Sequence, residues 1–77
     1  MTNEIKTTTD LKIRVLKAKG LLKFYGIKQP AKLFVETYPE YDTAAGYSRV
    51  QNLLSTVITD EQFTNQIENL TESIKTS

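Results

Sequence analysis

Residues 59–74 read TDEQFTNQIENLTESI, and this stretch gives the clearest indication of the fold in the 77-residue chain. Thr59, with Gln62 three residues later, predicts a capping box at a helix N-terminus. The two acidic residues between them suit the first turn, where the helix dipole favours negative charge. The apolar residues then recur at the spacing of one helical face, and they are Phe63, Ile67, Leu70 and Ile74. The stretch therefore predicts an amphipathic helix over residues 60–74.

Residues 9–25 predict a second long helix, which begins near Thr9 or Asp10 and ends before Gly26, a residue suited to a left-handed C-terminal cap. One face of this helix is apolar at Leu11, Val15, Ala18, Leu22 and Tyr25. The opposite face is apolar at Ile13, Leu16, Gly20, Phe24 and Ile27. Between the two faces lie three lysines, Lys12, Lys19 and Lys23. The strict apolar–charged alternation over residues 11–15 also leaves a short N-terminal strand open.

A helix that is apolar on two sides must be buried on two sides. One side would meet the domain core, and the other would meet either a second subunit or the remaining helices. Small domains without disulfides or a metal are often stabilised by a partner subunit. We therefore expect a homodimer, with an oligomer interface formed by Ile13, Leu16, Phe24 and Ile27. The alternative is a central helix enclosed by the other helices of the same chain.

Two further helices are predicted between these two. The first covers residues 30–38, because Pro30 suits the first helical position and Pro39 ends the segment. The next covers residues 43–57, with Asp42 as its N-cap. Its buried face would consist of Tyr47, Val50, Leu53, Leu54 and Val57.

Together these elements predict an all-α fold, a small bundle of about four helices in a single domain over residues 9–75. A flexible N-terminal arm is expected at residues 1–8, which are almost entirely polar. No segment is long and apolar enough to span a bilayer, and the N-terminus lacks the apolar core of a signal peptide. We therefore expect no membrane partner and a cytoplasmic location.

The residue types in the chain argue against catalysis. The sequence contains no cysteine and no histidine. This removes thiolate and imidazole metal ligands, the cysteine nucleophile and the usual general base near neutral pH. The three glycines are isolated, so no glycine-rich phosphate loop is present. We expect no enzyme activity, no metal, no cofactor and no small-molecule substrate.

Charge is divided unevenly along the chain. Residues 5–35 contain eight lysines and arginines against one acidic residue. Residues 36–77 contain two basic and seven acidic residues. Such a dipolar molecule can turn its basic half towards a polyanion.

The outward face of the helix predicted over residues 43–57 suits duplex DNA. Residues 43–59 contain no acidic side chain, which phosphates would repel. In the major groove, arginine pairs with guanine, asparagine and glutamine pair with adenine, and serine bonds to either base. The base contacts are expected from Ser48, Arg49, Gln51, Asn52 and Ser55. The phosphate contacts are expected from Lys28, Lys32 and Thr43.

Residues 29–57 resemble a helix-turn-helix DNA-binding domain, since a short helix, a connector and a longer helix with a polar outer face follow in that order. The resemblance implies that helix 43–57 lies in the major groove, that a dimer binds DNA, and that the protein regulates transcription. The alternative is a protein-interaction module that docks through the two-faced helix 9–25. An accessory, virion or assembly protein or an inhibitor protein would be of this class.

Overall fold

The computed structural model describes the backbone of residues 7–76 and the side chains of residues 8–75. Its four α-helices are α1 (Thr7–Phe24), α2 (Pro30–Thr37), α3 (Ala44–Leu54) and α4 (Glu61–Thr76), and a short 3-10 turn (Pro39–Tyr41) joins α2 to α3. The described residues contain no strand, so the predicted all-α bundle of four helices is confirmed. Over this same part of the chain, no helix has both the length and the apolar character needed to cross a membrane.

The core forms where α1 packs along α4, and α2 and α3 close the bundle. All four helices contribute buried apolar side chains, which are Val15, Ala18, Leu22, Phe34, Val35, Val50, Leu53, Leu54, Phe63, Ile67 and Leu70. Burial of each large side chain contributes about 1.5–3 kcal/mol. One predicted apolar face of α1 and the predicted face of α4 therefore both lie in the core.

α1 starts two residues before its predicted beginning, at Thr7. Residues 1–6 of the predicted arm lie outside the described residues. Residues 11–15, for which a short strand was left open, are helical. Their apolar side chains therefore lie on both sides of α1, with Val15 buried and Ile13 exposed, whereas a strand would place them on one side.

The end of α1 follows the expected cap. Gly26 has a φ of 93°, and its N–H donates to the Lys23 carbonyl at 3.0 Å. The Ile27 N–H donates to the Leu22 carbonyl at 2.9 Å. This pair of bonds is a Schellman motif, which turns the chain and brings Ile27 against the core.

α3 is capped by Thr43 and not by the predicted Asp42. The Thr43 Oγ1 accepts a hydrogen bond from the Gly46 N–H at 2.9 Å. Asp42 lies one residue too early, because its own N–H donates to the Pro39 carbonyl and closes the 3-10 turn at 2.9 Å. Sequence propensity alone could not separate two adjacent residues that are both good caps.

α3 ends at Leu54, three residues before its predicted end. Thr56 adopts a φ of 62°, and the N–H groups of Thr56 and Val57 donate to the carbonyls of Leu53 and Asn52 at 3.1 and 3.0 Å. Glycine usually occupies such a left-handed cap, and a β-branched residue there is strained. The prediction that Val57 is buried is wrong, because this early turn leaves its side chain 70% exposed.

α4 begins with Asp60 as its cap. The Asp60 Oδ1 accepts a hydrogen bond from the Gln62 N–H at 3.3 Å, and the Asp60 carbonyl accepts from the Thr64 hydroxyl at 2.8 Å. The capping box predicted from Thr59 and Gln62 is therefore wrong: Asp60 caps α4, and Phe63, three residues later, has no side-chain acceptor to complete a box.

An aromatic cluster fixes the connection between α2 and α3 onto α4. The Phe34 ring lies 4.7 Å from the rings of Tyr38 and Phe63 and 5.2 Å from that of Tyr41, measured between centroids. The Tyr41 hydroxyl donates to the Gln66 Oε1 at 2.9 Å, and the Tyr38 hydroxyl donates to the Gln66 carbonyl at 3.3 Å. These contacts hold the start of α3 in a defined position against the bundle.

Candidate nucleic-acid interface

α3 turns its polar side towards solvent. The residues expected to contact bases are all exposed, and they are Ser48, Arg49, Gln51, Asn52 and Ser55. The residues expected to contact phosphates, Lys28, Lys32 and Thr43, are exposed as well. The opposite side of α3 carries the buried Val50, Leu53 and Leu54. The polar face is therefore accessible along the whole length of α3.

A concavity, here called the lysine groove, adjoins this polar face. One part of it is lined by Lys19, Lys23, Gly26, Ile27, Lys28 and Pro30. The other part is lined by Lys19, Gln29, Pro30, Ala31, Tyr47, Gln51, Leu54 and Ser55. Because Lys19 and Pro30 line both parts, the groove is continuous from the turn after α1 to the outer face of α3. Its lining includes three lysines and no carboxylate.

Lys19 joins the groove to the end of α3. Its Nζ donates a hydrogen bond to the Leu54 carbonyl at 3.2 Å. The dipole of a helix favours a cation at this end. The contact holds the last turn of α3, with Gln51 and Ser55, beside the lysines of α1.

The opposite edge of α3 is acidic. The Arg49 guanidinium lies 3.5 Å from the Asp60 carboxylate. The carboxylate of Glu40 accepts a hydrogen bond from the Gln66 amide at 3.3 Å on the same side of the molecule. Burial raises the pKa of Tyr41, and the negative charges of Asp60 and Glu40 raise it further. Arg49 is therefore held among acidic groups and does not line the lysine groove.

The structure divides the predicted site into parts. Of the eight predicted residues, the groove brings together Lys28, Gln51 and Ser55. Ser48 and Asn52 are exposed on α3 outside the groove lining, and Lys32 is exposed on α2, also outside it. The Thr43 hydroxyl oxygen accepts a hydrogen bond from the Gly46 N–H, so it caps α3.

Two lysines and a tyrosine of the lysine groove were not among the predicted contacts: Lys19, Lys23 and Tyr47. Lys19 and Lys23 are four residues apart and hence on one side of α1. This spacing is a signal in the sequence, but only the packing of the turn after α1 against α3 shows which surface they share. Tyr47 was expected to be buried, whereas its side chain is 37% exposed and lines the groove.

The second apolar face of α1 is largely uncovered. Of the four residues predicted at an oligomer interface, three are exposed: Ile13 by 49%, Leu16 by 49% and Phe24 by 83%. Ile27 is the exception, because the Schellman turn places it half-buried against the core. The alternative of a central helix enclosed by the rest of the chain is therefore wrong for α1.

An ion pair on the far side of α1 ties it to α4. The Arg14 guanidinium contacts the Glu68 carboxylate through two nitrogens, at 2.6 and 2.9 Å, and donates to the Asn65 side-chain oxygen at 2.8 Å. The hydrogen bonds that Arg14 donates to the Glu68 carboxylate lower the pKa of Glu68 and raise the pKa of Arg14. Within residues 7–76, no group of acidic side chains lies close enough together to hold a metal ion.

Comparison of the chain with protein-family models, with curated proteins and with solved structures finds no match. The resemblance to a helix-turn-helix domain therefore stays a prediction. α2 and α3 do pack against each other. The connection between them, residues 38–43, is longer than the three- to four-residue turn typical of that motif.

Proposed function

We propose that the protein is a non-catalytic DNA-binding protein of the kind that regulates transcription. α3 would enter the major groove, and the lysine groove would contact the phosphate backbone beside it. The observation that carries this proposal is the junction of an exposed, acid-free polar helix face with a concavity lined by three lysines. A cytoplasmic location goes with this proposal.

The lysine groove supplies the phosphate contacts in this proposal. Lys19, Lys23 and Lys28 come from α1 and from the turn that follows it, so the backbone already holds them on one surface. Each phosphate neutralised by a lysine releases condensed counterions, and three such contacts predict a salt slope of about −3 in log K against log salt. These contacts set the position of α3 and carry no sequence information.

The exposed amides of α3 supply the base contacts. Gln51 and Asn52 can each form two hydrogen bonds to adenine, and Ser48 can bond to either base. Arg49 would have to leave Asp60 before it could pair with guanine. We therefore expect α3 to prefer sites in which adenine faces the two amides.

The proposal includes no catalytic step. A carboxylate that acts as a general acid near neutral pH needs a raised pKa. The pKa of Glu68 moves in the opposite direction, because Arg14 stabilises its charged form. The absence of histidine and cysteine from the sequence removes the other common acid–base and nucleophilic groups.

Fluorescence anisotropy with a labelled mixed-sequence duplex tests the phosphate contacts. We expect saturable binding that weakens steeply as salt is raised from about 50 to about 200 mM. Replacing Lys19, Lys23 or Lys28 with alanine should weaken binding to all sequences and reduce the salt slope by about one unit each.

Lys75→Ala is the matched control, because Lys75 is an exposed lysine near the end of α4 and does not line the groove. It removes the same net charge, so an effect equal to that of the groove variants would show binding by general charge alone. A failure of the unmodified protein to bind at low salt would overturn the proposal.

A selection of preferred duplexes tests the base contacts separately. Gln51→Ala and Asn52→Ala should each weaken binding to the selected site by about 1–3 kcal/mol and relax the base preference at one position. Their salt slopes should match that of the unmodified protein, because neither change removes a phosphate contact. Unchanged preference in both variants would refute the assignment of α3 as the helix that contacts bases.

A further inference from the structure

α1 carries an apolar surface that the bundle does not cover, here called the outer stripe: Ile13, Leu16, Gly20 and Phe24. Ile13 and Leu16 are each 49% exposed and Phe24 is 83% exposed. The core side chains of α1, Val15, Ala18 and Leu22, lie on its opposite side. At 1.5 Å per residue, the outer stripe extends over about 16 Å, or three helical turns.

The shape of the outer stripe suits another helix. Gly20 has no side chain and lies one turn from both Leu16 and Phe24, so it leaves a gap between them, here called the hollow. A Cβ added there would meet no atom within 4 Å. Side chains of a helical partner insert into such hollows, and an exposed phenylalanine is a typical anchor of a binding surface. Phe24 is the most exposed large apolar side chain of the described residues.

Basic residues border the outer stripe. Lys12 and Lys23 follow one edge by helix periodicity, and Lys23 also lines the lysine groove on that side. Lys17 lies at the other edge, where it lines a groove against α4 together with Glu68, Glu72 and Leu21, which is 45% exposed. In the described part of α1 the one acidic residue is Asp10, which lies one turn before Arg14 and helps to raise the pKa of that guanidinium. The stripe therefore has one basic edge, with Lys12 and Lys23, and one edge of mixed charge.

We propose that the outer stripe of α1 docks an acidic amphipathic helix of another protein. The partner's apolar residues would fill the hollow at Gly20 and cover Phe24, while its carboxylates would lie along Lys12 and Lys23. Lys23 belongs to both surfaces, but neither Lys12 nor Lys17 lines the lysine groove, so this inference can be tested separately from DNA binding.

The same charges disfavour a second copy of this chain as the occupant. In an antiparallel pair of α1 helices, the edge with Lys12 and Lys23 faces its own equivalent. In a parallel pair, that edge faces the edge with Lys17. In the antiparallel pair lysine meets lysine, and like charges facing each other across an interface weaken it. In the parallel pair the Lys12 and Lys23 edge meets Lys17, whose groove also contains Glu68 and Glu72, so the repulsion there is smaller. The homodimer predicted from the sequence is therefore less favoured than a complex with an acidic helix.

A lipid surface fits the outer stripe less well than a helix does. An interfacial helix buries one broad apolar face, whereas this stripe has three large side chains, two of them already half-covered, and a glycine in the middle. A side chain of a helical partner can fill the hollow at Gly20 in one fixed position, whereas fluid lipid chains have no fixed group to place there. The hollow is the feature that favours a helix.

Titration of the isotope-labelled protein with a designed peptide tests the proposal by NMR. The probe is an amphipathic helical peptide of about five turns with leucine on one face and glutamate elsewhere. We expect shifts confined to the amides around Ile13, Leu16, Gly20 and Phe24, and weaker binding at higher salt. Phe24→Ser should weaken binding about tenfold or more, as expected of an interface anchor. Val57→Ser is the control, since Val57 is also highly exposed but lies off the stripe, and it should leave binding unchanged.

Four results would overturn the proposal. The first is no binding of the acidic peptide at millimolar concentration. The second is equal binding of a peptide in which lysine replaces glutamate. The third is a dimer in sedimentation equilibrium that Phe24→Ser converts to a folded monomer, because a second copy would then be the occupant. The fourth is Phe24-dependent binding to vesicles of anionic lipid in the absence of peptide binding. Replacing both Lys12 and Lys17 with alanine should weaken binding of the peptide and leave DNA binding intact, so the two proposals can fail independently.

Discussion

Gly20 and Gly46 are both helical glycines with different surroundings. A Cβ at Gly20 would meet open space. A Cβ at Gly46 would lie 2.5 Å from the carbonyl oxygen of Tyr41, a backbone atom that the aromatic cluster holds in place. A larger side chain is therefore excluded by steric contact at Gly46 and not at Gly20.

The two alanine variants should change stability in opposite directions. Gly20→Ala should stabilise the protein by up to about 1 kcal/mol, because alanine is the better helix former and nothing obstructs it. Gly46→Ala should destabilise it, because the connection before α3 must move to remove the contact with Tyr41. Urea denaturation of the two variants, each serving as the control for the other, measures both signs. Equal stabilisation by both changes would contradict the close packing of Gly46.

At the scale of the elements, α1 and α4 are joined by the ion pair of Arg14 and Glu68 at a partly exposed position, where the two side chains are 31% and 40% exposed. The hydrogen bond from Arg14 lowers the pKa of Glu68 below its ordinary value of 4.5. A carboxylate with a lowered pKa contributes stability above its unfolded-state pKa, and this contribution is lost as the pH falls through the folded-state pKa. The pair should therefore stabilise the α1–α4 contact at neutral pH and not in strong acid.

Glu68→Gln tests this pH dependence. Near pH 7 the variant should be less stable than the unmodified protein by less than about 1 kcal/mol, because solvent screens a partly exposed pair. The difference should disappear well below pH 4.5, where the unmodified carboxylate is also protonated. Urea denaturation at both pH values provides the measurement, with Glu36→Gln on the exposed side of α2 as the control. A stability difference that persists in acid would exclude the ion pair as its cause.

At the scale of the whole molecule, α1 separates a core from an uncovered surface. Leu22 is fully buried against the other helices, and Leu16 on the same helix is half-exposed. The loss of stability on truncating a leucine should therefore depend on which side of α1 it occupies.

Leu22→Ala and Leu16→Ala form a matched pair for this test. Leu22→Ala should cost about 2–5 kcal/mol, a large part of the stability of so small a domain. Leu16→Ala should change stability by no more than about 0.5 kcal/mol, because its side chain leaves no cavity. Thermal or urea denaturation of dilute protein measures both. A comparable loss in the two variants would show that the outer stripe is buried in solution.

Only part of the candidate site could be predicted from the sequence. The polar face of α3 could be identified from residues 43–57, because helix periodicity fixes which side chains lie opposite Val50, Leu53 and Leu54. The grouping of Lys19 and Lys23 with Gln51 could not, because it depends on how the turn after α1 packs on α3. Arg49 was correctly placed on the exposed face of α3. Its contact with Asp60 could not be predicted, because Asp60 lies at the start of α4.

Local rules in the sequence determined the four helices, the core faces of α1 and α4, the start of α2 at Pro30, the cap of α1 at Gly26 and the doubled apolar character of α1, since each depends on residues within one segment. Only the tertiary structure decided that Thr43 and Asp60 are the caps, that α3 ends at Leu54 before the left-handed Thr56, and which face of α1 stays uncovered. These outcomes depend on contacts between segments, such as Gly46 against Tyr41, and on the left-handed backbone of Thr56, which its residue type does not predict. Spacing along the chain fixes what one helix can bury, and packing between helices fixes what it does bury.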